Sequence, residues 1–240
     1  MSKVIENRRL NKDHFLLRVE QPNEAAMGQF YMLRSWARYP LLSRPVSVFD
    51  SDRATLSFLY RVVGEGTRLL SELRAGDDVT TGEALGNGYP SVSGRIALVG
   101  GGVGVAPLYL AAKTLKAEDP ANVIDCYLGF ADSAILEAEF GALCDKLVVD
   151  IGGFVTEAID PGDYDCVLSC GPEIMMRVLQ KKCRAAGTRH LVSLESRMAC
   201  GIGICLGCSC KTADKQRASK TNKKICTDGP VFEAEEVFFE

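Results

Sequence analysis

Ile96-Ala97-Leu98-Val99-Gly100-Gly101-Gly102-Val103-Gly104-Val105-Ala106-Pro107 decides the architecture of this chain. The unbroken apolar run reads as a strand buried on both faces, the glycines as a tight turn, and residues 107–116 as a helix. Glycines let a backbone approach a pyrophosphate, and the helix start beyond them offers free amides and the positive end of a dipole. Taken alone, such a turn is also compatible with an ordinary strand–helix connection, and this one departs from a strict Gly-x-Gly-x-x-Gly by running into proline. The sequence downstream supplies the context. Strands expected at 123–130, 147–151, 165–170 and 190–195 alternate with helices at 136–144 and 172–186. That alternation makes βαβ units and a parallel sheet. A second turn, Ser169-Cys170-Gly171-Pro172-Glu173, again joins a buried strand to a helix. Gly101, Gly102, Gly104, Cys170, Gly171 and Pro172 therefore fall at the carboxyl ends of strands, where ligands bind in such sheets.

Working outward, the residues before this segment read differently. Short β-rich runs at 15–19, 29–34, 45–49, 55–62 and 78–81 are punctuated by Pro22, Gly28, Pro40, Gly64, Gly66, Gly76 and Gly82. Several short strands with turn residues between them predict an antiparallel barrel. From about Ser196 the chain is rich in cysteine and glycine, then basic. The expected organisation is a β-barrel over 1–92, an α/β domain over 93–195 and a small metal-bearing C-terminal domain over 196–240.

The bulk composition narrows the function classes. The 240 residues carry a net charge of −3 and are 47% hydrophobic, which disfavours a general nucleic-acid binder. No apolar run is long enough for a membrane span, and the polar opening MSKVIENRRLNKDHFLL lacks the apolar core of a secretory signal. A soluble cytoplasmic protein is expected. All ten cysteines lie after residue 125, unlike a disulfide scaffold, which spreads them along a secreted chain. Cys126, Cys144, Cys166, Cys170 and Cys183 sit in apolar or helical settings that suit buried free thiols.

The remaining cysteines form a pattern. Cys200-x4-Cys205-x2-Cys208 has the spacing of the first three ligands of a plant-type [2Fe–2S] cluster, with Cys226 as the natural fourth. Gly201, Gly203 and Gly207 let the loop wrap inorganic sulfides closely. A four-cysteine zinc site is the competing reading, although structural zinc favours two short Cys-x2-Cys pairs. Cys210 is a spare thiol that competes with Cys208. The stretch 211–224 reads as a solvated basic hairpin, with a docking surface for an acidic partner as the alternative. His14 and His190 fall on expected strands without a neighbouring serine or paired carboxylate, so each reads as structural.

Arg44-Pro45-Val46-Ser47, Gly64-Glu65-Gly66-Thr67, GGGVGVAP and CGPEIMM together resemble the ferredoxin–NADP reductase superfamily, which pairs a flavin-binding barrel with a nicotinamide-binding α/β domain. The C-terminal MACGIGICLGCSC and Cys226-Thr227-Asp228-Gly229-Pro230-Val231-Phe232 narrow the resemblance to electron-transfer subunits of NAD-linked (class 1B) dihydroorotate dehydrogenase. The resemblance implies FAD held by Arg44, Pro45, Val46 and Ser47, flanked by Leu59, Tyr60 and Arg61, with Gly66 and Thr67 on its phosphates. It implies an FMN-containing catalytic partner, a two-plus-two heterotetramer, and electrons passing from FMN through [2Fe–2S] and FAD to NAD+ in pyrimidine biosynthesis. No side-chain acid, base or nucleophile is then required, and Cys170 is expected close to the nicotinamide. NAD over NADP follows from the resemblance, with mild support from Asp132 after the second strand of the sheet. A rival within the same build is an oxidoreductase subunit moving electrons between NAD(P)H and ferredoxin or sulfur compounds. A rival from another class is a zinc-stabilised, non-redox interaction module.

Overall fold

The structure, a computed structural model, describes residues 1–214 and 219–239. The first sheet comprises β1 (Ser2–Arg9), β2 (His14–Glu20), β3 (Phe30–Leu33), β4 (Arg44–Ser51), β5 (Thr55–Arg61) and β6 (Asp78–Val79), in the order β3-β4-β5-β2-β1-β6. Its paired strands all run antiparallel. In β2, Leu17 and Val19 turn inward while Arg18 and Glu20 face out, the two-residue period of a half-buried strand. The sheet curls until its ends meet. Arg34 and Thr80 exchange backbone hydrogen bonds of 2.9 and 2.8 Å, and Phe30 and Leu85 exchange a second pair. The short helix α1 (Glu65–Ser71) follows β5.

The second sheet holds β7 (Arg95–Gly101), β8 (Val123–Phe130), β9 (Lys146–Ile151), β10 (Cys166–Cys170) and β11 (Arg189–Ser193), all parallel, in the order β11-β10-β7-β8-β9. Helices α2 (Ala106–Glu118), α3 (Glu137–Gly141) and α4 (Glu173–Ala186) lie between strands. After β9 the chain returns to the other side of β7, so the strand order reverses between β7 and β10. Such a reversal leaves a crevice at the carboxyl ends of the two strands. Ile96 to Val99 are completely buried, as a central parallel strand requires, and each large aliphatic side chain removed from water there contributes about 2 kcal/mol.

Helix α2 joins the two sheets. Its Tyr109 stacks on Phe49 of β4 with ring centroids 4.3 Å apart, and its Lys113 pairs with Asp50 at 2.6 Å. One hydrophobic cluster accordingly runs from the barrel interior through α2 to β7 and β8.

The C-terminal segment leaves β11, forms a loop and a hairpin of β12 (Ser209–Asp214) and β13 (Ser219–Lys224), and returns as β14 (Val231–Glu233). Strand β14 lies antiparallel on β11, with Ser193 opposite Val231. The expected basic hairpin is present where the chain is described; 215–218 of that expectation lie outside the described residues.

Candidate functional site

Three features adjoin one another through the residues that line them. The first is a cavity of about 770 Å³ between the barrel and the start of α2, lined among others by Arg44, Pro45, Val46 and Ser47. Leu59, Tyr60, Arg61 and Thr67 from the sequence-predicted set line it too, whereas Gly66 does not. Arg44 is held at the start of β4 by the Leu42 carbonyl, with its guanidinium 5.4 Å from the Trp36 ring centroid. Among the described residues it has no carboxylate partner. A Cβ at Gly66 would come within 2.5 Å of Arg44 Nε, so glycine there is what lets the arginine lie across the first turn of α1. The Thr67 hydroxyl serves its own turn, accepting from the Val63 and Gly64 amides and donating to the Gly64 carbonyl. Tyr60 stacks on Phe15 and donates to Asn7 Oδ1 at 3.1 Å, and burial raises its pKa. An unneutralised guanidinium beside a large, mainly apolar hollow fits a planar ring system carrying a pyrophosphate, since arginine binds phosphate through paired N–H donors.

The second feature is a cavity of about 430 Å³ at the strand-order reversal, lined by Gly101, Gly102, Gly104, Gly171 and Pro172. The two glycine turns touch. A Cβ at Gly104 would sit 2.6 Å from the Cys170 carbonyl oxygen, and one at Gly171, where φ is +148°, 2.8 Å from the Gly101 amide nitrogen. Bare glycine backbone at the start of a helix fits a dinucleotide pyrophosphate. Cys170 itself is fully buried beneath this turn, and burial pushes its thiol pKa well up.

Arg61, Val103 and Glu195 line both cavities and form the wall between them. Asp13 holds Arg61 through an Oδ2–Nε contact of 2.8 Å. Glu195 is accessible from both hollows yet has enough protein around its carboxyl to raise its pKa by burial, and it accepts a long hydrogen bond from the Cys170 thiol at 3.8 Å. Sequence reasoning missed Glu195. Nothing in a single glutamate after an apolar strand marks it, and its importance comes from β11 ending beside β10.

The third feature is the cysteine loop. Met198 lines the flavin-sized cavity, and Cys200 follows within about 7 Å along the chain. The Cys205 amide approaches Cys200 Sγ at 3.4 Å and the Gly207 amide approaches Cys205 Sγ at 3.5 Å. Backbone amides of Cys205 and Ile202, with the Cys205 thiol, lower the Cys200 thiol to about 6. Burial and the neighbouring Cys208 push Cys226 up to about 11. Cys205 bears on the Cys200 thiol, and both Cys208 and Cys200 bear on Cys226, so the four thiols gather in one region of the loop. Among the described residues no three His, Cys, Asp or Glu are placed to hold a single metal ion. A tetrahedral zinc asks for all four thiolates on one point and two sulfide-bridged irons for two on each; the Cys200-x4-Cys205-x2-Cys208 spacing fits the second. Cys210 stands apart on β12, half-buried, opposite Lys223. His190 is buried on β11 with Nε2 2.8 Å from Ser169 Oγ, and His14 lines the nucleotide-sized cavity.

A curled antiparallel barrel, a parallel sheet with its crevice at the reversal and a thiol loop beside the first cavity define the class: a flavin- and nicotinamide-dependent reductase scaffold bearing an iron–sulfur domain. Known structures agree on the fold. The ferredoxin NADP+ reductase of Neisseria gonorrhoeae, with bound FAD and NADP, superposes at a TM-score of 0.66 with 15% identity, covering 78% of this chain and 90% of that one. A chain from the NADH-dependent reduced ferredoxin-NADP oxidoreductase structure superposes at 0.87 with 31% identity, covering 100% of this chain and 90% of that one. Residues 195–238 match the family described as the iron-sulfur cluster binding domain of dihydroorotate dehydrogenase B. The dihydroorotate dehydrogenase B (NAD(+)) electron transfer subunit of Clostridium acetobutylicum is 42% identical over 97% of this chain and 94% of its own length. That of Clostridium perfringens is 38% identical over 99% and 97%. The chain belongs to the family of dihydroorotate dehydrogenase B electron transfer subunits.

Proposed function

We propose that this chain carries electrons from a dihydroorotate-oxidising catalytic partner to NAD+. The observation that carries the reading is the alignment of three sites: the thiol loop abuts the larger cavity at Met198, and that cavity shares the wall of Arg61, Val103 and Glu195 with the smaller one. Bound FAD and a [2Fe–2S] cluster supply the redox chemistry, single electrons on one side and an electron pair on the other. The chain's own residues bind and orient. Arg44 with the backbone of Pro45, Val46 and Ser47 and the amides of Gly66 and Thr67 hold the flavin, and Leu59, Tyr60 and Arg61 flank it. Gly101, Gly102, Gly104, Gly171 and Pro172 admit the nicotinamide dinucleotide, above the buried Cys170. Cys200, Cys205, Cys208 and Cys226 hold the cluster, with loop amides directed at sulfur. The division 1–92, 93–195 and 196–240 describes the three roles.

The cluster loop also bears the partner surface. Ile202, Ile204 and Leu206 expose 56%, 76% and 62% of their surface around the thiols, which supports docking of an FMN-containing catalytic subunit there; the two-plus-two assembly is carried over from the resemblance alone. No helix among the described residues is long and apolar enough to cross a membrane.

The test is an absorption spectrum of anaerobically purified protein with iron, sulfide and flavin assays, followed by dihydroorotate-dependent reduction of NAD+ with the catalytic subunit. About two irons and one FAD per chain, and turnover only when both proteins are present, are the expected results. A second reading, a subunit exchanging electrons between NAD(P)H and ferredoxin, draws on the superposition at 0.87. Reduction of ferredoxin without any response to dihydroorotate and its partner would select it.

A further inference from the structure

The barrel lends a charged loop to the rim of the nucleotide-sized cavity. Residues 11–13, between β1 and β2, meet residues 131–133, which follow β8 at the carboxyl end of the parallel sheet. Asn11, Lys12, Asp132 and Ser133 all line that cavity. Lys12 Nζ lies 2.8 Å from Asp132 Oδ2, and Asn11 Nδ2 donates to Ser133 Oγ at 3.1 Å. The side chains of the ion pair are 69% and 68% exposed, so it adds little to stability and rearranges at small cost. Its neighbours are already paired: Arg61 is tied to Asp13 at 2.8 Å. Among the described residues Asp132 is the one carboxylate in contact with Lys12.

A dinucleotide with its pyrophosphate over the Gly101–Gly104 turn extends its adenosine half toward the carboxyl end of the neighbouring strand, which is β8. Asp132 stands there. A carboxylate accepts hydrogen bonds from a ribose diol and repels a 2′-phosphate, and an ammonium has the opposite preference. We infer that Asp132, held by Lys12 from the barrel, selects a nicotinamide dinucleotide with a free ribose 2′-hydroxyl, and that Lys12 is a latent phosphate contact kept occupied by Asp132. Cofactor choice is then set across two domains, by a loop outside the nucleotide-binding sheet. The inference rests on the nucleotide reading of this cavity.

The experiment uses the full chain with its flavin and cluster, titrated calorimetrically with 5′-ADP and with 2′,5′-ADP, and in parallel reduced with NADH or NADPH. Wild type should favour 5′-ADP. Asp132→Ala and the isosteric Asp132→Asn should each weaken 5′-ADP and tighten 2′,5′-ADP by about tenfold, the worth of one charge-assisted hydrogen bond. Adding Lys12→Gln to Asp132→Ala should abolish the gain for 2′,5′-ADP. Unchanged flavin and iron content in the variants shows that the fold is intact. A ratio of the two dissociation constants that Asp132→Ala leaves unaltered, or a gain that survives Lys12→Gln, overturns the inference. If wild type neither binds 5′-ADP nor has its flavin reduced by NADH, the nucleotide reading itself falls and takes the inference with it.

Discussion

Arg44 and Cys226 illustrate what single side chains contribute. Arg44 is a cation without a carboxylate partner among the described residues, lying in a cavity against a glycine. Replacing it with alanine should weaken flavin retention roughly 10- to 100-fold, the range for a hydrogen bond to a charged group, read as flavin content after gel filtration. Lysine at this position should recover only part of the loss, because it lacks the planar fork. Cys226→Ser should remove most of the iron and the broad cluster absorption while leaving NADH oxidation by artificial acceptors. Loss of both activities together would mean that the loop supports the flavin site as well. His190 makes a pH prediction. Burial holds its pKa near 3, far below the ordinary value of about 6.5. Below about pH 6.5 the unfolded chain takes up a proton that the folded chain refuses. This contribution is therefore complete above that pH and declines as acid is added, by about 2 kcal/mol at pH 5. Burial also lowers His14, with the same sign. Urea midpoints from pH 8 to pH 5 should fall less steeply in His190→Asn. The cluster-binding segment was legible in the sequence because its cysteine spacing is local. Glu195, Lys12 and Asn11 were not recognised as site residues, since their partners come from other strands and domains.

At the scale of elements, the β7 turn shows why its glycines were readable and what they permit. The Gly104 position faces the Cys170 carbonyl, a backbone atom that cannot move aside cheaply. Gly104→Ala should push the β7 and β10 turns apart, costing about 1–3 kcal/mol. In a chain of this size that lowers the melting temperature by roughly 3–10 °C, with a matching rise in KM for NADH, checked by calorimetry and steady-state kinetics. Buried strands β7, β8 and β10 announced themselves as continuous apolar runs, and α2 and α4 followed at the expected places. The expected helix over 136–144 contracts to α3, five residues long. Three elements were silent. In β1 only Ser2 and Val4 are buried, so its polar residues hide the alternation that marks a strand. Helix α1 is a seven-residue turn set by Thr67 capping, and β14 is three residues whose strand character exists only against β11.

For the whole molecule, the continuous core through α2 fixes barrel and sheet as one reductase body, while the cluster loop presents its apolar residues outward. Ile204→Asp should leave iron, flavin and NADH oxidation by artificial acceptors near wild type, yet prevent co-elution with the catalytic subunit. Intact co-elution would place the partner surface elsewhere. The isolated chain should not oxidise dihydroorotate at all, and turnover without the partner would refute the division of labour. The fold class could be read from patterning because each half has its own periodicity, but the facing of the two cavities across Arg61, Val103 and Glu195 is a property of the assembled body. One last consequence follows from β14 lying beside β11. Ser193 and Val231 are opposite one another in an antiparallel pair, so their Cα atoms lie about 5 Å apart. The intervening stretch is topologically a cassette with its entry and exit side by side, a geometry that tolerates insertion and exchange. Nature or an engineer could trade one electron-carrying module for another at this seam without retying the scaffold, provided that the graft keeps Glu195 and Met198, which line the cavities.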